Sequence, residues 1–435
     1  MIDEASTKLD LQYYQWDSDN VGYLLLDRLI AAADRGVAVR LLIDDLRFRS
    51  RTHRAASLCL HPHIAVRLFN PWTRRSNMVT EAVEFVMRFS RLDRRMHNKL
   101  LVADGQRAIA GGRNIADPHY GLNKAFNLVD FDVLLSGAGV SRLQDVFETY
   151  WNSPPATPAS SLDSSVSKSD LDAVRTVVNE QVSERADALP PDLTTNTAWR
   201  DRVAADSLVI PEDALHITFD IPGPTSATRP TQVISALHAA VAGAREELVV
   251  VTPFFVPSEM DVGFYASLVD RGVRIRLLTN SLASNSGTIS NSGLDRSRKA
   301  VVKAGVELHE LRADAADKPA WVTAPNVGGY LGLHAKLYTI DREKVFLGSV
   351  NLDPRSKVIN TEIGMLVENA ELARDTANGI EALMTPENSW RVALGSDGRV
   401  TWTNDAETTY RQPARSLGQR IADKVFEVLP IDRYI

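Results

Sequence analysis

The stretch His97-Asn98-Lys99-Leu100-Leu101-Val102-Ala103-Asp104 returns 237 residues later as His334-Ala335-Lys336-Leu337-Tyr338-Thr339-Ile340-Asp341. A small-residue turn and an asparagine follow each copy, GGRN ending at Asn114 and GSVN ending at Asn351, again 237 residues apart. Upstream, GVAVRLLIDDL (Gly36 to Leu46) matches GVRIRLLTNSL (Gly272 to Leu282) at an offset of 236. Three blocks that hold one register to within a residue mark an internal duplication. The chain reads as two copies of one domain.

Within each copy, apolar runs rich in β-branched residues alternate with amphipathic stretches. LDLQYYQW, VRLLIDDL and AVRLFNP in the first copy, and ELVVVTPFF, VRIRLLTNSL and VELHELR in the second, read as strands. Val21 to Arg35 and Met260 to Arg271 carry apolar residues at three- and four-residue spacing and read as helices. The expected fold class is therefore α/β: two pseudo-twofold-related domains, each a mixed, mostly parallel sheet flanked by helices. A helix over Gln232 to Ala244 precedes the first strand of the second copy. Only Ile2 to Thr7 stand there in the first, so that copy is expected to be N-terminally shortened.

The expected domains are 1–152, a linker and connecting helix over 153–195, a second domain over 196–386 and a C-terminal extension over 387–435. Ser153 to Ser169 is rich in proline, serine and alanine and reads as an exposed linker, and Leu171 to Leu189 reads as a helix. In the extension, RVALGSDGRVTWTN suggests a hairpin turning at Asp397-Gly398. An amphipathic helix follows over Ser416 to Leu429, its Leu417, Ile421, Val425 and Leu429 side expected to pack into the core.

Of 435 residues, 44% are hydrophobic and 24% charged, values that suit a folded two-domain protein and exclude a mostly disordered one. No run approaches the roughly 18 uninterrupted apolar residues of a membrane span. MIDEASTKLD is acidic and polar where a signal peptide would be apolar. The one cysteine, Cys59, excludes an intrachain disulfide and a multi-cysteine zinc site. A net charge of −6 argues against a broad nucleic-acid face, although Arg74, Arg75, Arg88, Arg91, Arg94 and Arg95 cluster just ahead of the first motif.

On a strand, residues two apart point the same way, so His97 with Lys99, and His334 with Lys336, are expected to share a face. A lone His-x-Lys is ordinarily a polar strand face; its duplication in register, with the same tail, makes it a candidate site. Folding the copies together would set two imidazoles and two ammonium groups around one cleft. That set suits a phosphodiester: one imidazole attacks phosphorus, the other protonates the leaving alkoxide, and the lysines hold the non-bridging oxygens. Lysines beside the histidines would repel a cation, so no metal and no cofactor are expected. The candidate catalytic set is His97, Lys99, Asp104, His334, Lys336 and Asp341. The two aspartates, at the strand ends, are expected to brace backbone or a neighbouring cation. His119, in DPHYG, is a candidate for the cleft edge, whereas His53, His61, His63, His216, His238 and His309 are unrepeated and read as ordinary surface or core residues.

The two H-x-K-x-x-x-x-D motifs resemble the phospholipase D superfamily. DLQYYQW, RLLIDDL, RRMHNKLLVADG, GGRNIADPHYG, LLTNSLASN, LHAKLYTID, GSVNLDPRS and the closing LPIDRYI are similar to the C-type bacterial cardiolipin synthases. The resemblance implies ping-pong phosphatidyl transfer through a phosphatidyl-histidine, with His97 as nucleophile and His334 as acid and base. It implies phosphate contacts from Lys99, Lys336, Asn114 and Asn351, helped by backbone amides near Gly112 and Ser349. Glu362 is implied as an orienting carboxylate for a histidine, with Asp132 as its counterpart. The implied partners are phospholipids (phosphatidylglycerol, with phosphatidylethanolamine as the alternative donor) and an anionic membrane surface, without nucleic acid. With both motifs on one chain, a monomer is expected to be catalytically complete. The implied location is the bacterial inner membrane, peripheral, with the face left open. Cardiolipin synthases commonly carry additional N-terminal sequence, sometimes membrane-anchoring, ahead of the point where this sequence starts; either anchoring is expected to be peripheral or residue 1 is not the natural start. Asn77 to Arg95 is expected to compensate, with Val79, Val83, Val86, Met87 and Phe89 in the interface and Arg88, Arg91, Arg94 and Arg95 on headgroups. Hydrolysis by the same site, with water as acceptor, is the rival reading. A nuclease is disfavoured by the acidic balance, and a catalytically silent membrane scaffold by the retention of both histidines and both lysines.

Overall fold

In the computed structural model, which describes residues 1–72, 84, 87, 89–185, 207–223, 230–285, 288–315 and 329–428, the three apolar runs of each copy lie side by side. Lys8–Tyr13, Ala38–Asp44 and Ile64–Phe69 pair in parallel, and so do Glu247–Val251, Arg274–Asn280 and Glu307–Leu311. The motif strands, Lys99–Ala103 and Leu337–Ile340, join the first strand of their copy antiparallel. Arg107–Gly111 then Asp132–Ser136, and Lys344–Gly348 then Ile363–Glu368, extend the sheets by further antiparallel pairing. The six-strand order is thus the same twice, and the sheets are mixed but not mostly parallel as expected: each six-strand unit has two parallel and three antiparallel pairs. Parallel pairing stops where crossover helices stop: after each motif the chain reverses in a tight turn, with Asp104 and Asp341 both at φ +53°.

The helices that cover these sheets are built by the apolar spacing already visible in the sequence. Asn20–Asp34 begins where the Asp19 side chain accepts from the Gly22 amide at 3.1 Å, and buries Val21, Leu26, Leu29 and Ile30. The equivalent helices Ala138–Trp151 and Ala370–Leu383 lie between the sheets. Their Leu143, Phe147 and Ile380 share one core with Leu100 and Val102 of the first motif strand and Leu337 and Leu347 of the second copy. A shared core at crystal-like density fixes one copy against the other, and so fixes the spacing of the motifs. A two-stranded parallel sheet, Phe126–Val129 with Tyr330–Leu333, also crosses between copies.

The linker reading changes in part, while the connecting helix and the hairpin stand where they were expected. Much of Ser153 to Ser169 is exposed, but it is not a free linker: Ala156–Pro158 adds a strand to Ile64–Phe69, and Ala159 is fully buried. The connecting helix, Lys168–Glu184, lays Leu171 and Val178 on the first copy. The hairpin of Ser389–Leu394 and Val400–Thr403 turns at Gly398 (φ +71°) and continues the second sheet by pairing with Glu307–Leu311.

The terminal helix, Leu417–Val428, is turned the opposite way from the core-facing expectation. It packs on Thr288–Lys303 with polar groups, Asn291 Nδ2 donating to Asp423 Oδ1 at 2.9 Å. Leu417, Ile421 and Val425 are left 70%, 58% and 55% exposed, and Leu429 lies outside the described residues. Most of Asn77 to Arg95 also lies outside them. Of its arginines, Arg95 is buried against Asp44 at 3.2 Å and so does not face a headgroup, whereas Arg91 pairs with Glu84 at 3.1 Å and stays 37% exposed.

Candidate active site

The motif histidines lie ahead of their strands and not on them, His97 two residues before Lys99–Ala103 and His334 three before Leu337–Ile340, and each is held there by the other copy. The His97 amide donates to the Thr361 carbonyl at 2.8 Å, and the His334 amide to the Val129 carbonyl at 2.7 Å. The repeat around Gly36 and Gly272 supplies a second brace. Asp44 accepts from the Met96 amide at 3.0 Å, and its counterpart Asn280 accepts from the Leu333 amide at 2.8 Å. One residue before each histidine is therefore clasped from the end of the second strand.

The carboxylate partners are exchanged between copies in the same manner. His97 Nδ1 lies 2.9 Å from Glu362 Oε2, and His334 Nδ1 lies 2.7 Å from Asp130 Oδ2. An ionised carboxylate at Nδ1 selects the tautomer that leaves Nε2 bare as base or nucleophile. Glu362 was legible from NTEIG. Asp132 is not its counterpart: it binds Arg113 instead, at 3.2 Å. Asp130, two residues earlier in the VDFDV run, directly follows the Phe126–Val129 strand that pairs with the strand leading into His334. Two residues apart, the aspartates are not told apart by strand alternation; Asp132 opens the strand Asp132–Ser136, and it is the cross-copy pairing of Phe126–Val129 that brings Asp130 to His334.

Lys99 Nζ rests on the carbonyl of His97 at 2.5 Å, and Lys336 Nζ on that of His334. Asn114 and Asn351 are buried beside them, each keeping an amide oxygen without a hydrogen-bond partner. The amides of Gly112 and Ser349 are not available to a phosphate, since they donate to Phe131 and Ile363 carbonyls at 3.0 and 2.9 Å. What these two residues supply is room and support. A Cβ at Gly112 would lie 2.1 Å from Asp130 Oδ1, and the Ser349 hydroxyl donates to Glu362 Oε2 at 2.5 Å. Asp104 accepts from the amides of Ser6, Thr7 and Lys8, and Asp341 from those of Arg245, Glu246 and Glu247. Both tie the far strand end to the start of their copy.

Two aromatic neighbours distinguish the histidines. Tyr14 stands edge-on to the His97 ring at 5.0 Å, and His119 edge-on to the His334 ring at 4.6 Å. His119 also donates from Nδ1 to Asp130 Oδ2 at 2.9 Å, so one carboxylate oxygen serves two imidazoles, and its Nε2 lies 3.4 Å from the Asn114 amide nitrogen. The role of Tyr14 carried no sequence signal beyond its place at the end of the first strand.

Burial dominates the electrostatics. It holds His97 and His334 well below the usual imidazole range, with Lys99 and Lys336 adding to the effect at His97, and Lys336 at His334. His97 is therefore neutral near pH 7, while the Asp130 carboxylate opposes the shift at His334 and supports its protonated form. Burial raises Glu362 to about 7 against the pull of Lys99. At Asp130 burial also opposes ionisation, but His334, His119 and Lys336 outweigh it and keep the acid ionised. Burial lowers Lys336 to about 8 and, with Lys336 opposite, takes Lys99 well below its usual range. The lysines and both carboxylates feel one another across a single cleft.

The geometry can thus supply a neutral nucleophile, a second imidazole backed by a fixed negative charge, and two cations for a tetrahedral or pentavalent anion. Ligand atoms of His119, Asp130 and His334 fall within 4.8 Å of one another, close enough for a metal. Lys336 Nζ, 2.9 Å from His334 Nδ1, opposes a cation there.

Residues 1–151 and 237–384 match the family model described as Cardiolipin synthase, PLD-like domain. The chain belongs to that family. Among its relatives, cardiolipin synthase C of Escherichia coli K12 is 31% identical over 99% of this chain and 92% of its own length. Cardiolipin synthase 1 of Bacillus cereus is 23% identical over 87% of this chain and 62% of its own length. The crystal structure of phosphatidylserine synthase from Haemophilus influenzae superposes with a TM-score of 0.60 at 13% identity, covering 98% of this chain and 91% of that one. That likeness is one of fold. In this cardiolipin synthase-like, phospholipase D-like chain, the two matched segments are the two copies of the duplication, and each carries one His-Lys motif.

Proposed function

We propose that the chain transfers a phosphatidyl group from one phospholipid to another, forming cardiolipin. The observation that carries the reading is the exchanged pairing: His97 with Glu362 of the second copy, His334 with Asp130 of the first. His97 Nε2 attacks the phosphorus of a phosphatidylglycerol. His334 begins the cycle as the imidazolium, paired with Asp130; the bond to the glycerol headgroup breaks, and the departing alkoxide takes the proton from His334 Nε2. The phosphatidyl-histidine then meets a second phosphatidylglycerol. His334, now neutral, removes the proton of its headgroup hydroxyl, the alkoxide attacks phosphorus, and the bond to His97 breaks. Cardiolipin and glycerol leave with both imidazoles restored; with phosphatidylethanolamine as donor, ethanolamine leaves instead. Lys99, Lys336, Asn114 and Asn351 hold the phosphate. The assignment of roles follows the carboxylates: a firmly ionised Asp130 supports an imidazolium at His334, whereas Glu362, raised to about 7, leaves His97 the better neutral nucleophile. No metal enters the scheme.

Both halves of the site come from one chain, which supports a catalytically complete monomer. Among the described residues no helix is long and apolar enough to cross a membrane, and the proposed setting is the surface of a bacterial inner membrane. The test is mass-spectrometric lipid analysis of phosphatidylglycerol and phosphatidylethanolamine vesicles incubated with protein and EDTA. Cardiolipin made by wild type and lost in His97→Ala and His334→Ala is the expected result. Phosphatidic acid in its place would make the protein a hydrolase.

A further inference from the structure

The exposed stripe of the terminal helix is an odd arrangement for a water-soluble surface. Leu417, Ile421 and Val425 follow one another at four-residue spacing, one above the next on a single helix face. The buried side is instead polar: Asp423 Oδ1 accepts from Asn291 Nδ2, and Gln419 Nε2 donates to the Leu282 carbonyl. One flank of the stripe carries the half-buried Arg420, whose Nε donates to the Gln412 carbonyl at 3.2 Å, and Lys424, which is 67% exposed with Nζ 3.8 Å from Asp295 Oδ2; the other carries Gly418 and Ala422. Arg411 and Arg415 extend the positive charge ahead of the helix. An apolar stripe edged by cations fits the headgroup and acyl boundary of an anionic bilayer.

The helix is also tied to the catalytic cleft. The Ala283 amide donates to the Pro413 carbonyl at 3.1 Å, and the Arg415 guanidinium lies 3.6 Å from the Tyr330 ring centroid. Tyr330 begins the strand Tyr330–Leu333, which ends beside His334, and Leu333 is held at its amide and carbonyl by Asn280. Three short links therefore join the stripe to a motif histidine. We infer that the Leu417–Ile421–Val425 face, with Arg420 and Lys424 beside it, is the surface by which this protein docks on an anionic phospholipid bilayer. The inference deepens the proposed phosphatidyl transfer, on which it rests and which requires a bilayer donor.

The test uses the full chain and two variants, a triple Leu417→Ser/Ile421→Ser/Val425→Ser and a single Lys424→Glu. The altered side chains are exposed, and thermal unfolding verifies that both variants fold. Co-sedimentation with phosphatidylglycerol vesicles should fall about tenfold or more in the triple variant, and less in Lys424→Glu, whose residual binding should respond less to salt. Cardiolipin formation from vesicles should fall in parallel, while turnover of detergent-dispersed short-chain phosphatidylglycerol stays within about twofold of wild type. A triple variant that sediments like wild type overturns the inference. So does a wild type that ignores anionic vesicles, or one whose light-scattering mass shows a dimer that the triple variant dissociates. If wild type sediments and the triple variant does not, but no lipid is altered, the docking surface stands and the transfer reading fails.

Discussion

Replacing Asp130 by asparagine removes one charge and almost no volume, which makes it the cleanest probe of the second imidazole. In the proposed first step His334 carries a proton that Asp130 Oδ2, 2.7 Å from Nδ1, must stabilise. With the charge centres about 4 Å apart and an effective dielectric of about 20, that attraction is about 4 kcal/mol. An asparagine oxygen can keep one hydrogen bond, so part of the orientation survives and the charge term is what is lost. At about 1.4 kcal/mol per tenfold, kcat should fall roughly 10³-fold. The assay is cardiolipin formation from phosphatidylglycerol vesicles under saturating lipid, with the unfolding temperature as a control for folding. Glu362→Gln serves as comparison. Because Glu362 titrates near 7, wild type below that pH already carries a neutral group there, so this variant should cost much less at pH 6 than at pH 8. A folded Asp130→Asn protein that retains activity within about threefold of wild type would refute the assignment of Asp130 as the partner of the acid.

The remaining expectations concern the same cleft and its scaffold. The kcat/KM profile should be bell-shaped: below about 7 Glu362 is protonated and no longer accepts from His97, and above about 8 Lys336 loses its charge, so activity rises through the first value and falls through the second; Glu362→Gln should abolish the acid limb. Gly112→Ala places a methyl group 2.1 Å from Asp130 Oδ1, and should push that carboxylate off both imidazoles, lowering kcat toward the Asp130→Asn level with roughly 1–3 kcal/mol of stability lost in denaturant titration. His119→Phe removes the second donor to Asp130 and the neighbour of Asn114, and steady-state kinetics should show a kcat loss of about tenfold, smaller than that of Asp130→Asn. Asp104→Ala leaves three backbone amides without their acceptor; calorimetry should report roughly 1–3 kcal/mol of lost stability, with activity per folded molecule unchanged.

What could be read ahead of the structure follows from which forces are local. The spacing of apolar residues along Asn20–Asp34 and Glu259–Asp270 is a property of the chain itself, and those helices stand within a residue or so of where periodicity set them. Where the outcome depended on neighbours, the reading failed in whole or in part. The Ser153 to Ser169 stretch has a linker's composition and much of it is exposed, yet Ala156–Pro158 pairs with Ile64–Phe69 and Ala159 is fully buried. The stripe of Leu417, Ile421 and Val425 has the pattern of a buried face, but Asp423 found its partner in Asn291 on the other side of the helix. Gly112 and Ser349 sit at matched points of the repeat, and their amides were consumed by sheet pairing that composition does not reveal.

By itself, the sequence determined that the chain is a duplicated α/β domain with two histidines and two lysines destined for one phosphodiester site, because register across a repeat survives in the residues without reference to folding. The tertiary structure decided which carboxylate serves which histidine. Glu362 and Asp130 each cross to the opposite copy, and Asp132, only two positions away, is spent on Arg113. That choice rests on the shared core and on the pairing of Phe126–Val129 with Tyr330–Leu333, contacts between segments some two hundred residues apart. No local pattern encodes them; they exist only once the two copies have closed on each other.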